Sequence, residues 1–495
     1  MRLALSIKKH NKRNIFAAVF CALILCGAIR IAAQDVEVKI KLLPASSVRI
    51  EGRFLNSKNI KAVDAISFLR SYADVENLAE RVENLELFDE GGKKLEARKS
   101  AAGEYQSAKP AFGFAYDVKI AELKNPAAKA HASWLAEDQG LLMLDDLLPQ
   151  WKTKTSGRIV FEFSGDWKIT TGETGIGAKT FAVADVEKAI FLVGKNQREK
   201  TVRINKTNLD LAISGEWKFS DAEAFEMATS ILTEYRRMFG EIPSDRIQIF
   251  VLPFSQTPNS DRWRAETRGR TVTLISGALP SKREALQRLH EQLRHEIFHL
   301  WIPNAVNLTG NYDWFYEGFT IYQALRTGVE LNQIRFEDYL NTLSRAFDLA
   351  KNQNVSLVEM SNTRWTGTNN SVYAKGMIAA FLCDLAMLDQ SGGKHSLTEI
   401  FQKLYRTYHA SNTKADGSRA VIEILQAYPE LQPIVKKYIE GAEKIELTSA
   451  LAPFGIEISE NDGAARLKVS SPLGGRQKDL LNKLGYNQWR KLLRH

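Results

Sequence analysis

The sequence predicts an α+β protein of several domains, with an N-terminal β-sandwich followed by a mixed-sheet domain that carries a helical lobe. Three observations predict this architecture. A chain of 495 residues is too long for a single core. Short runs of apolar and β-branched residues, broken by Gly, Ser and Asn, dominate the first part of the chain. Beyond about residue 280, longer segments with helical spacing of apolar residues replace them.

The first 34 residues form a targeting segment that is separate from the folded part. A basic stretch is followed by an apolar run, Ile15–Ile29, of about fifteen residues, and by small residues near Ala33. This is the pattern of a secretory signal, and the run is shorter than the roughly 20 residues that span a bilayer. We expect an exported chain, periplasmic or secreted, after cleavage near Ala33. The alternative is membrane attachment through residues 15–33.

The charge and cysteine content exclude two classes of protein. The chain has a net charge of +9, but six of its positive charges lie in the first 33 residues, and removing those six leaves +3. A nucleic-acid partner is therefore not expected. Only Cys383 follows the targeting segment, so the exported part is not a small disulfide-linked scaffold. Its stability has to come from large apolar cores.

Residues 35–205 are predicted to form the β-sandwich. Their apolar runs are short, rich in β-branched residues and separated by turn-forming residues, as is typical of antiparallel sheets. The clearest predicted strands are "VEVKIKLL", "SVRIEGRFL", "RIVFEFSG", "WKITTG" and "TVRINKT".

Residues 206–445 are predicted to form the second domain, with a mixed sheet up to about residue 280 and a helical lobe after it. Three apolar runs in the first part indicate strands, "LDLAIS", "RIQIFVL" and "TVTLIS". Capping boxes at Ser220 with Glu223 and at Ser281 with Glu284 mark the starts of two helices. The second of these helices carries the motif that indicates the function.

The helix that starts after Ser281 contains His295-Glu296-x-x-His299. Residues four apart lie above one another on one helix face, so both imidazoles can point at one metal ion. Imidazole nitrogens are common zinc ligands, and a catalytic zinc site takes three protein ligands and leaves one position for water. Glu296 projects to the side of this face, where it can reach such a water without binding the metal.

A third zinc ligand has to come from outside this helix, and Glu317 is the best candidate. Pro303 and Gly310 lie between His299 and Glu317 and can turn the chain. The stretch "DWFYEGFTIY" then predicts a return helix that packs against the first one and brings Glu317 to the open side of the ion. The alternative is a solvated helix that carries unrelated histidines and glutamates.

The segment from residue 295 to residue 322 resembles the zinc-binding core of the gluzincin aminopeptidases of the glycyl and alanyl types. These families combine H-E-x-x-H with a Trp two residues later, here Trp301, and with a distant E-G-F/L/T-x-x-Y motif. The alanyl type also has an Asn that matches Asn304. The resemblance implies a thermolysin-like catalytic domain, one Zn²⁺ held by the three residues named above, and a peptide or protein substrate.

Two further residues take roles from this resemblance. The stretch "SVYAKGMIAAFL" is similar to the segment in which a tyrosine hydrogen-bonds the tetrahedral intermediate, which implies that role for Tyr373. Family members also hold the substrate's free amino terminus with an acid that ends a Gly-rich strand motif. Glu266 lies near that position, with Trp263 and Arg264 in place of the glycines. Glu266 is therefore either the amine-binding acid or a surface glutamate of a strand, and cleavage of internal bonds stays an alternative.

Residues 446–495 form a short C-terminal segment. It contains two candidate strands, "GIEIS" and "ARLKVS", and an amphipathic helix near its end. The stretch "FGIEISENDG" resembles the start of a PDZ domain, yet only about 40 residues follow, fewer than an independent domain needs. We expect a truncated or remodelled PDZ-like module.

Together these patterns predict an exported, zinc-dependent metallopeptidase, of the aminopeptidase type by resemblance. In this interpretation Glu296 is the general base for a zinc-activated water, and Tyr373 stabilises the oxyanion. The alternative is an exported peptide-binding protein, non-catalytic or endopeptidase-like, that keeps the gluzincin fold. No sequence feature specifies an oligomeric state.

Overall fold

The protein is described here from a computed structural model. Residues 1–33 of the predicted targeting segment, including Ala33, lie outside the described residues. What remains is an α+β chain with an N-terminal sandwich, a mixed sheet and a helical lobe, and the predicted fold class is confirmed. The structure describes residues 34–55, 62–73, 75–123, 125–254, 263–364, 371–409, 414–488 and 490.

The N-terminal part is built almost entirely of strands. One sheet has eight strands, a second has four and a third has three. The first pairs β1 with β2 in an antiparallel and with β11 in a parallel arrangement. The elements are β1 (Val36–Leu43), β2 (Ser47–Phe54), β3 (Val63–Ser67), β4 (Val82–Phe88), β5 (Lys94–Leu95), β6 (Ala97–Ala101), β7 (Glu104–Ala111), β8 (Gly113–Lys119), β9 (Trp134–Leu135), β10 (Gln139–Met143), α1 (Leu144–Leu147), β11 (Gly157–Glu162), β12 (Lys168–Thr170), β13 (Thr174–Gly177), β14 (Thr180–Val183) and β15 (Ile190–Gly194).

The two larger sheets of this part face each other across one apolar core. β1 buries Val36, Val38 and Ile40, every second residue, because successive side chains of a strand point to opposite faces. Phe191 and Val193 of β15, in the four-stranded sheet, lie in the same core. The eight-stranded sheet (order β13-β14-β11-β1-β2-β8-β4-β5) and the four-stranded sheet (order β12-β15-β10-β9) therefore form the predicted sandwich.

The four-stranded sheet is covered on both of its faces. Phe191 points into the sandwich, whereas its neighbours Ile190 and Leu192 belong to a second apolar cluster. That cluster also contains Phe250 and Ile275, which lie on strands of the next sheet. A sheet that is apolar on both faces has to be buried between two layers. The sandwich and the following domain therefore share an apolar interface.

The next sheet has five strands in the order β16-β17-β18-β20-β19. β17, β18 and β20 run parallel, and β19 is an antiparallel edge strand. All three strands predicted from apolar runs in this part are present. The elements are β16 (Arg198–Ile204), β17 (Thr207–Ile213), α2 (Asp221–Phe239), β18 (Arg246–Pro253), β19 (Trp263–Arg268), β20 (Thr271–Ser276) and α3 (Lys282–Phe298).

The boundary between the two parts lies earlier than the predicted residue 205. β16 was predicted as a sandwich strand, but it pairs with β17 in the five-stranded sheet. Asn205, in a left-handed conformation with φ of 56°, forms the tight turn between them. A two-residue hairpin loop holds its strands in one sheet. The mixed-sheet domain therefore begins between Gly194 and Arg198.

Helices form most of the chain from residue 314 to residue 451. The longest, Ser371–Ser391, is the one helix among the described residues that is long and apolar enough to cross a membrane, and most of it is buried inside the protein. Its Cys383 is fully buried. The elements are β21 (Leu308–Thr309), a π-helix (Trp314–Phe319), α4 (Thr320–Glu330), α5 (Phe336–Ala350), α6 (Leu357–Thr363), α7 (Ser371–Ser391), α8 (Thr398–Tyr408), β22 (Ala415–Asp416), α9 (Gly417–Gln426), α10 (Gln432–Ile434), a second π-helix (Val435–Ile439) and α11 (Thr448–Leu451).

The C-terminal segment consists of a two-stranded hairpin and a helix, β23 (Ile456–Asn461), β24 (Ala464–Val469) and α12 (Gly475–Lys483). Leu467 and Leu481 belong to the core of the helical lobe. The backbone N–H of Leu467 also donates to Ser344 Oγ of α5 at 2.9 Å. Within the described residues, this segment is thus an extension of the lobe with two paired strands.

Candidate metal centre

Helix α3 presents the two histidines of the motif at its carboxyl end. Ser281 Oγ accepts from the backbone N–H of Glu284, so the predicted cap fixes where the helix begins. The helix ends at Phe298, and His299 is its C-cap residue. Residues four apart still stack here, and the ring nitrogens His295 Nε2 and His299 Nε2 lie 3.0 Å apart.

The third predicted ligand, Glu317, lies on the π-helix that precedes α4. Its Oε2 is 3.1 Å from His295 Nε2 and 3.7 Å from His299 Nε2. Tetrahedral zinc with ligand bonds of about 2.0–2.1 Å separates its donor atoms by about 3.3 Å. The three donor atoms therefore stand at the spacing that one zinc ion requires, and their chemistry, two imidazoles and one carboxylate, fits that metal.

The charges of the centre favour a cation. Burial alone lowers the pKa of His299, but the hydrogen bond and charge of Glu317 outweigh it and raise this pKa to about 9. Burial alone would raise the pKa of Glu317, yet the two histidines hold it well below its ordinary value. The ring of His299 is oriented by the Ile302 carbonyl, 2.9 Å from Nδ1. Orientation of a metal-binding imidazole by a carbonyl is a recurrent feature of such centres.

Glu296, the predicted base, is held by the edge strand β19. Thr267 Oγ1 lies 2.7 Å from Glu296 Oε2 and 3.0 Å from the Glu296 carbonyl oxygen. Asn304 Nδ2 donates to the Thr267 carbonyl at 2.9 Å, which fixes the strand against the end of α3. Burial raises the pKa of Glu296 above its ordinary value, against the opposing charges of the two histidines.

Tyr373 is connected to the metal ligands through an arginine. Arg364 Nη2 lies 3.3 Å from Glu317 Oε1 and donates to the hydroxyl of Tyr373. Its Nη1 forms an ion pair with Asp313 Oδ2 at 2.7 Å. Burial raises the pKa of Tyr373 well above its ordinary value, so its hydroxyl is neutral at physiological pH. The structure therefore brings Tyr373 to the same cluster as Glu317.

Two glycines set how closely the elements that carry Glu317 and Tyr373 approach each other. A Cβ atom on Gly318 would lie 2.6 Å from the Cα of Gly376, and one on Gly376 would lie 2.8 Å from both the Cα of Gly318 and the carbonyl oxygen of Trp314. Real Cβ atoms do not approach backbone atoms so closely. The motifs E-G-F and Y-A-K-G thus each contain the glycine that allows this contact.

Glu266 lies on the other face of β19 and points to the N-terminal part. Its Oε1 accepts from Tyr72 Oη at 2.7 Å and from Arg268 Nε at 3.1 Å. Its Oε2 lies 2.7 Å from His131 Nδ1. Burial alone would raise the pKa of Glu266, but the Arg268 charge and the His131 hydrogen bond lower it to about 2. Glu266 is therefore an ionised, mostly buried group, and three donors from two parts of the chain already contact it.

Five contributors to this centre were not among the predicted site residues. Thr267 and Arg364 sit outside the motifs, Asp313 begins the predicted return helix but had no predicted role, and Tyr72 and His131 come from the sandwich. The pair of His131 with Glu266 joins residues 135 positions apart. The notable absence of glycines before Glu266 is the one sequence feature that points to an altered environment there.

Comparison with solved structures identifies the architecture. No family model matches the sequence, and no curated protein matches it. The aminopeptidase N family protein from Idiomarina loihiensis matches with a TM-score of 0.75 at 17% identity, over 87% of this chain and 80% of that chain. An M1 zinc metallopeptidase mutant from Deinococcus radiodurans, bound to a Tyr-Ser-Ala substrate, matches with a TM-score of 0.56 at 14% identity, over 84% and 95%.

This chain has the fold of the M1 zinc metallopeptidases. A structure of the M1 zinc metallopeptidase from Deinococcus radiodurans gives the same result, with a TM-score of 0.55 at 13% identity. The predicted thermolysin-like domain behind a β-sandwich is thus confirmed as an M1-type architecture. At these identities the likeness concerns the fold, and the chemistry has to be argued from this chain's own residues.

The glycine contact of this M1-type fold predicts the effect of a single methyl group. Gly376→Ala forces α7 away from the π-helix because the contact is between backbones. We expect the free energy of unfolding to fall by about 1–3 kcal/mol and the zinc content to fall with it. Denaturant unfolding and metal analysis measure this. The control is Gly475→Ala, since a Cβ there meets nothing within 4 Å. Equal behaviour of the two variants would show that the close contact has no role.

The surroundings of Glu266 predict a pH dependence of stability. Because its pKa is about 2 in the folded state and about 4.3 in the unfolded state, its contribution is complete above pH 4.3 and is lost as the pH falls toward 2. Glu266→Gln should lower the free energy of unfolding at pH 7 by roughly 3 kcal/mol. The difference from wild type should shrink as the pH falls through that window. Exposed Glu226 supplies the control, Glu226→Gln, and a pH-independent difference for Glu266→Gln would refute the assignment.

Proposed function

We propose that this chain is an exported, zinc-dependent peptidase that hydrolyses peptide bonds and prefers substrates with a free amino terminus. One observation carries the peptidase assignment. His295, His299 and Glu317 converge at zinc-ligand spacing, and Glu296 is held beside them on the same helix. A site that only bound metal would have no need of a buried carboxylate that does not belong to the ligand set.

The proposed reaction begins with proton transfer to Glu296. Zinc, when bound, supplies a Lewis acid that lowers the pKa of water toward about 7. Thr267 contacts Oε2 of Glu296, whereas Oε1 has no hydrogen bond or ion pair within the described residues, so it can accept the proton of the attacking water. Burial raises the pKa of this carboxyl, which brings it closer to the pH at which a base both accepts and returns a proton. Glu296 then gives the proton to the leaving amine.

Tyr373 is proposed to stabilise the negative charge that develops on the scissile carbonyl oxygen. A neutral hydroxyl can donate one hydrogen bond to such an oxyanion. Arg364 holds the phenol through its own donation to the hydroxyl oxygen, which leaves the hydroxyl hydrogen available to the substrate. The same arginine contacts Glu317 and so couples the position of Tyr373 to that of the metal ligand.

Preference for a free amino terminus is the finer part of the proposal. It is supported by the aminopeptidase N family protein among the solved structures of the same fold. In this chain Glu266 is the ionised carboxylate of the strand that also holds Glu296 through Thr267. We propose that Glu266 binds the free amino group of the substrate, while Tyr72 Oη donates to the same carboxylate. The three donors already on Glu266 favour the second candidate, an endopeptidase that does not use this acid for substrate.

Peptides with free and acetylated amino termini distinguish the two candidates. Cleavage of a short peptide by the full chain loaded with zinc should depend on its free amine, and acetylation should abolish it. Release of the N-terminal residue is followed by mass spectrometry. Equal cleavage of both peptides would exclude an aminopeptidase and favour the endopeptidase, whereas binding without cleavage of either would favour the non-catalytic peptide-binding protein.

The role of Glu296 predicts a loss of turnover without loss of metal. Glu296→Gln removes the proton acceptor but keeps the shape of the side chain, so hydrolysis should fall by at least about a hundredfold. Zinc content should stay near one ion per chain. Exposed Glu291 of the same helix provides the matched control, because Glu291→Gln should leave both quantities unchanged. Unchanged turnover of Glu296→Gln would rule out Glu296 as the base.

Export is the remaining part of the proposal and rests on the first 34 residues. Expression of the full chain in a bacterial host, followed by sequencing of the amino terminus of the exported protein, tests it. Cleavage near Ala33 is the expected result. A full-length chain retained in the membrane fraction would favour the anchor formed by residues 15–33, and retention in the cytoplasm would contradict export.

A further inference from the structure

A cavity lies beside α3, next to the half of the helix that precedes the metal ligands. It has a volume of about 1020 Å³. Its walls come from α3, from the segment after α4 and from the C-terminal segment near Gly485 and Tyr486. Four basic side chains and one acidic side chain line it together with His290. These are Lys282, Arg283, Arg294, Arg335 and Asp338.

Arg294 is the unusual member of this lining. It is only 4% exposed, and its Nε and Nη1 have no hydrogen-bond partner among the described residues. No acidic side chain within the described chain forms an ion pair with it, whereas Lys282 pairs with Glu223 and Arg335 pairs with Asp338. A buried charge without a partner is unfavourable unless a counter-charge reaches it.

The fold makes room for this guanidinium. A Cβ atom on Gly328 would collide with Arg294 Nη1. Gly328 lies inside α4 (Thr320–Glu330), where a glycine weakens the helix relative to alanine. Tyr235 Oη donates to the Arg294 carbonyl at 2.6 Å, which fixes the backbone from which the side chain extends. The Arg294 guanidinium is therefore packed against Gly328 and does not extend into solvent.

Two further side chains near Arg294 have nitrogen atoms without a hydrogen bond. His290, one helical turn before Arg294, is 3% exposed, and both of its ring nitrogens are without a hydrogen bond in the described part of the chain. Burial, together with the charge of Arg294, lowers the pKa of His290 to about 3, so its ring is neutral and offers one N–H. Arg326 Nη1 is also unpartnered there, and it lies 4.0 Å from a Cβ built on Gly485, a residue of the cavity wall.

We infer that this cavity binds an oxyanion, a carboxylate or an inorganic group of the sulfate or phosphate kind, against Arg294 and His290. Such a group would supply the missing counter-charge for Arg294, a lining residue of this cavity, since guanidinium and oxyanion geometries match. The cavity volume also admits an organic molecule that carries the carboxylate, such as the carboxyl end of a peptide. The inference concerns a site separate from the zinc ligands and does not depend on the proposed peptidase activity.

Calorimetric titration of the full chain tests the inference with three probes at constant ionic strength. These are sulfate, an N-acetylated tripeptide with a free carboxyl end, and the same peptide as its amide. Saturable binding of sulfate alone would identify an inorganic oxyanion. Binding of the free acid but not of the amide would identify a peptide carboxylate. Arg294→Met should weaken either by about tenfold or more, whereas Arg345→Met, which removes an exposed arginine of α5, should keep the wild-type affinity.

Thermal unfolding provides a second, independent measurement, because the melting temperature of each protein can be compared with and without the probe. In anion-poor buffer Arg294→Met should melt at or above the temperature of wild type, because it removes an uncompensated charge. Added sulfate or free-acid peptide should then raise the melting temperature of wild type only. If Arg294→Met does not fold, Gly328→Ala is used in its place. The added methyl group displaces the Arg294 guanidinium, while the charge of Arg294 is retained. The inference would be overturned if no probe bound wild type saturably. It would also be overturned if Arg294→Met or Gly328→Ala bound the probes as tightly as wild type.

Discussion

The close approach of two helical backbones at Gly318 and Gly376 is the contact on which the candidate site depends. It places the π-helix that carries Glu317 directly against the helix that carries Tyr373. With a larger residue at either position, the two elements would have to move apart, because the atoms in contact belong to backbones. The position of the π-helix also agrees with a functional role, since π-helical segments are frequent at functional sites.

The edge strand β19 extends the same centre to the N-terminal part. Its Thr267 faces α3 and holds Glu296, while the preceding residue, Glu266, faces the sandwich and contacts Tyr72 and His131. Successive residues of a strand point to opposite faces, so one strand connects the base to both domains. Movement of the sandwich relative to the five-stranded sheet would therefore change the position of Glu296. The apolar interface between these sheets opposes such movement.

Much of this organisation could be predicted from local patterns. The spacing of His295 and His299, the cap at Ser281 and the alternating apolar runs are short-range features, and the structure has the corresponding helix and strands. The fold class, with a thermolysin-like domain behind a β-sandwich, followed from them and from the resemblance of the zinc-binding segment. These are the features for which a few adjacent residues determine the conformation.

The remainder depends on contacts between distant segments. Arg364 reaches Glu317 across 47 positions, and Tyr72 reaches Glu266 across 194. No period or spacing encodes such pairs. The domain boundary was predicted too late for a related reason, because an alternating strand such as β16 shows that it is a strand but not which sheet it joins. The uncompensated Arg294 is similar, since a helix sequence does not show which cations lack partners.

X-ray absorption at the zinc edge, on the full chain purified with stoichiometric zinc, tests the central claim most directly. The account predicts one zinc per chain with two imidazole nitrogens, one carboxylate oxygen and a water oxygen at about 2.0–2.2 Å, and an altered coordination shell without the carboxylate in Glu317→Ala. A zinc ion whose spectrum is unchanged by Glu317→Ala and by His299→Ala would contradict it, because the metal would then lie outside this centre.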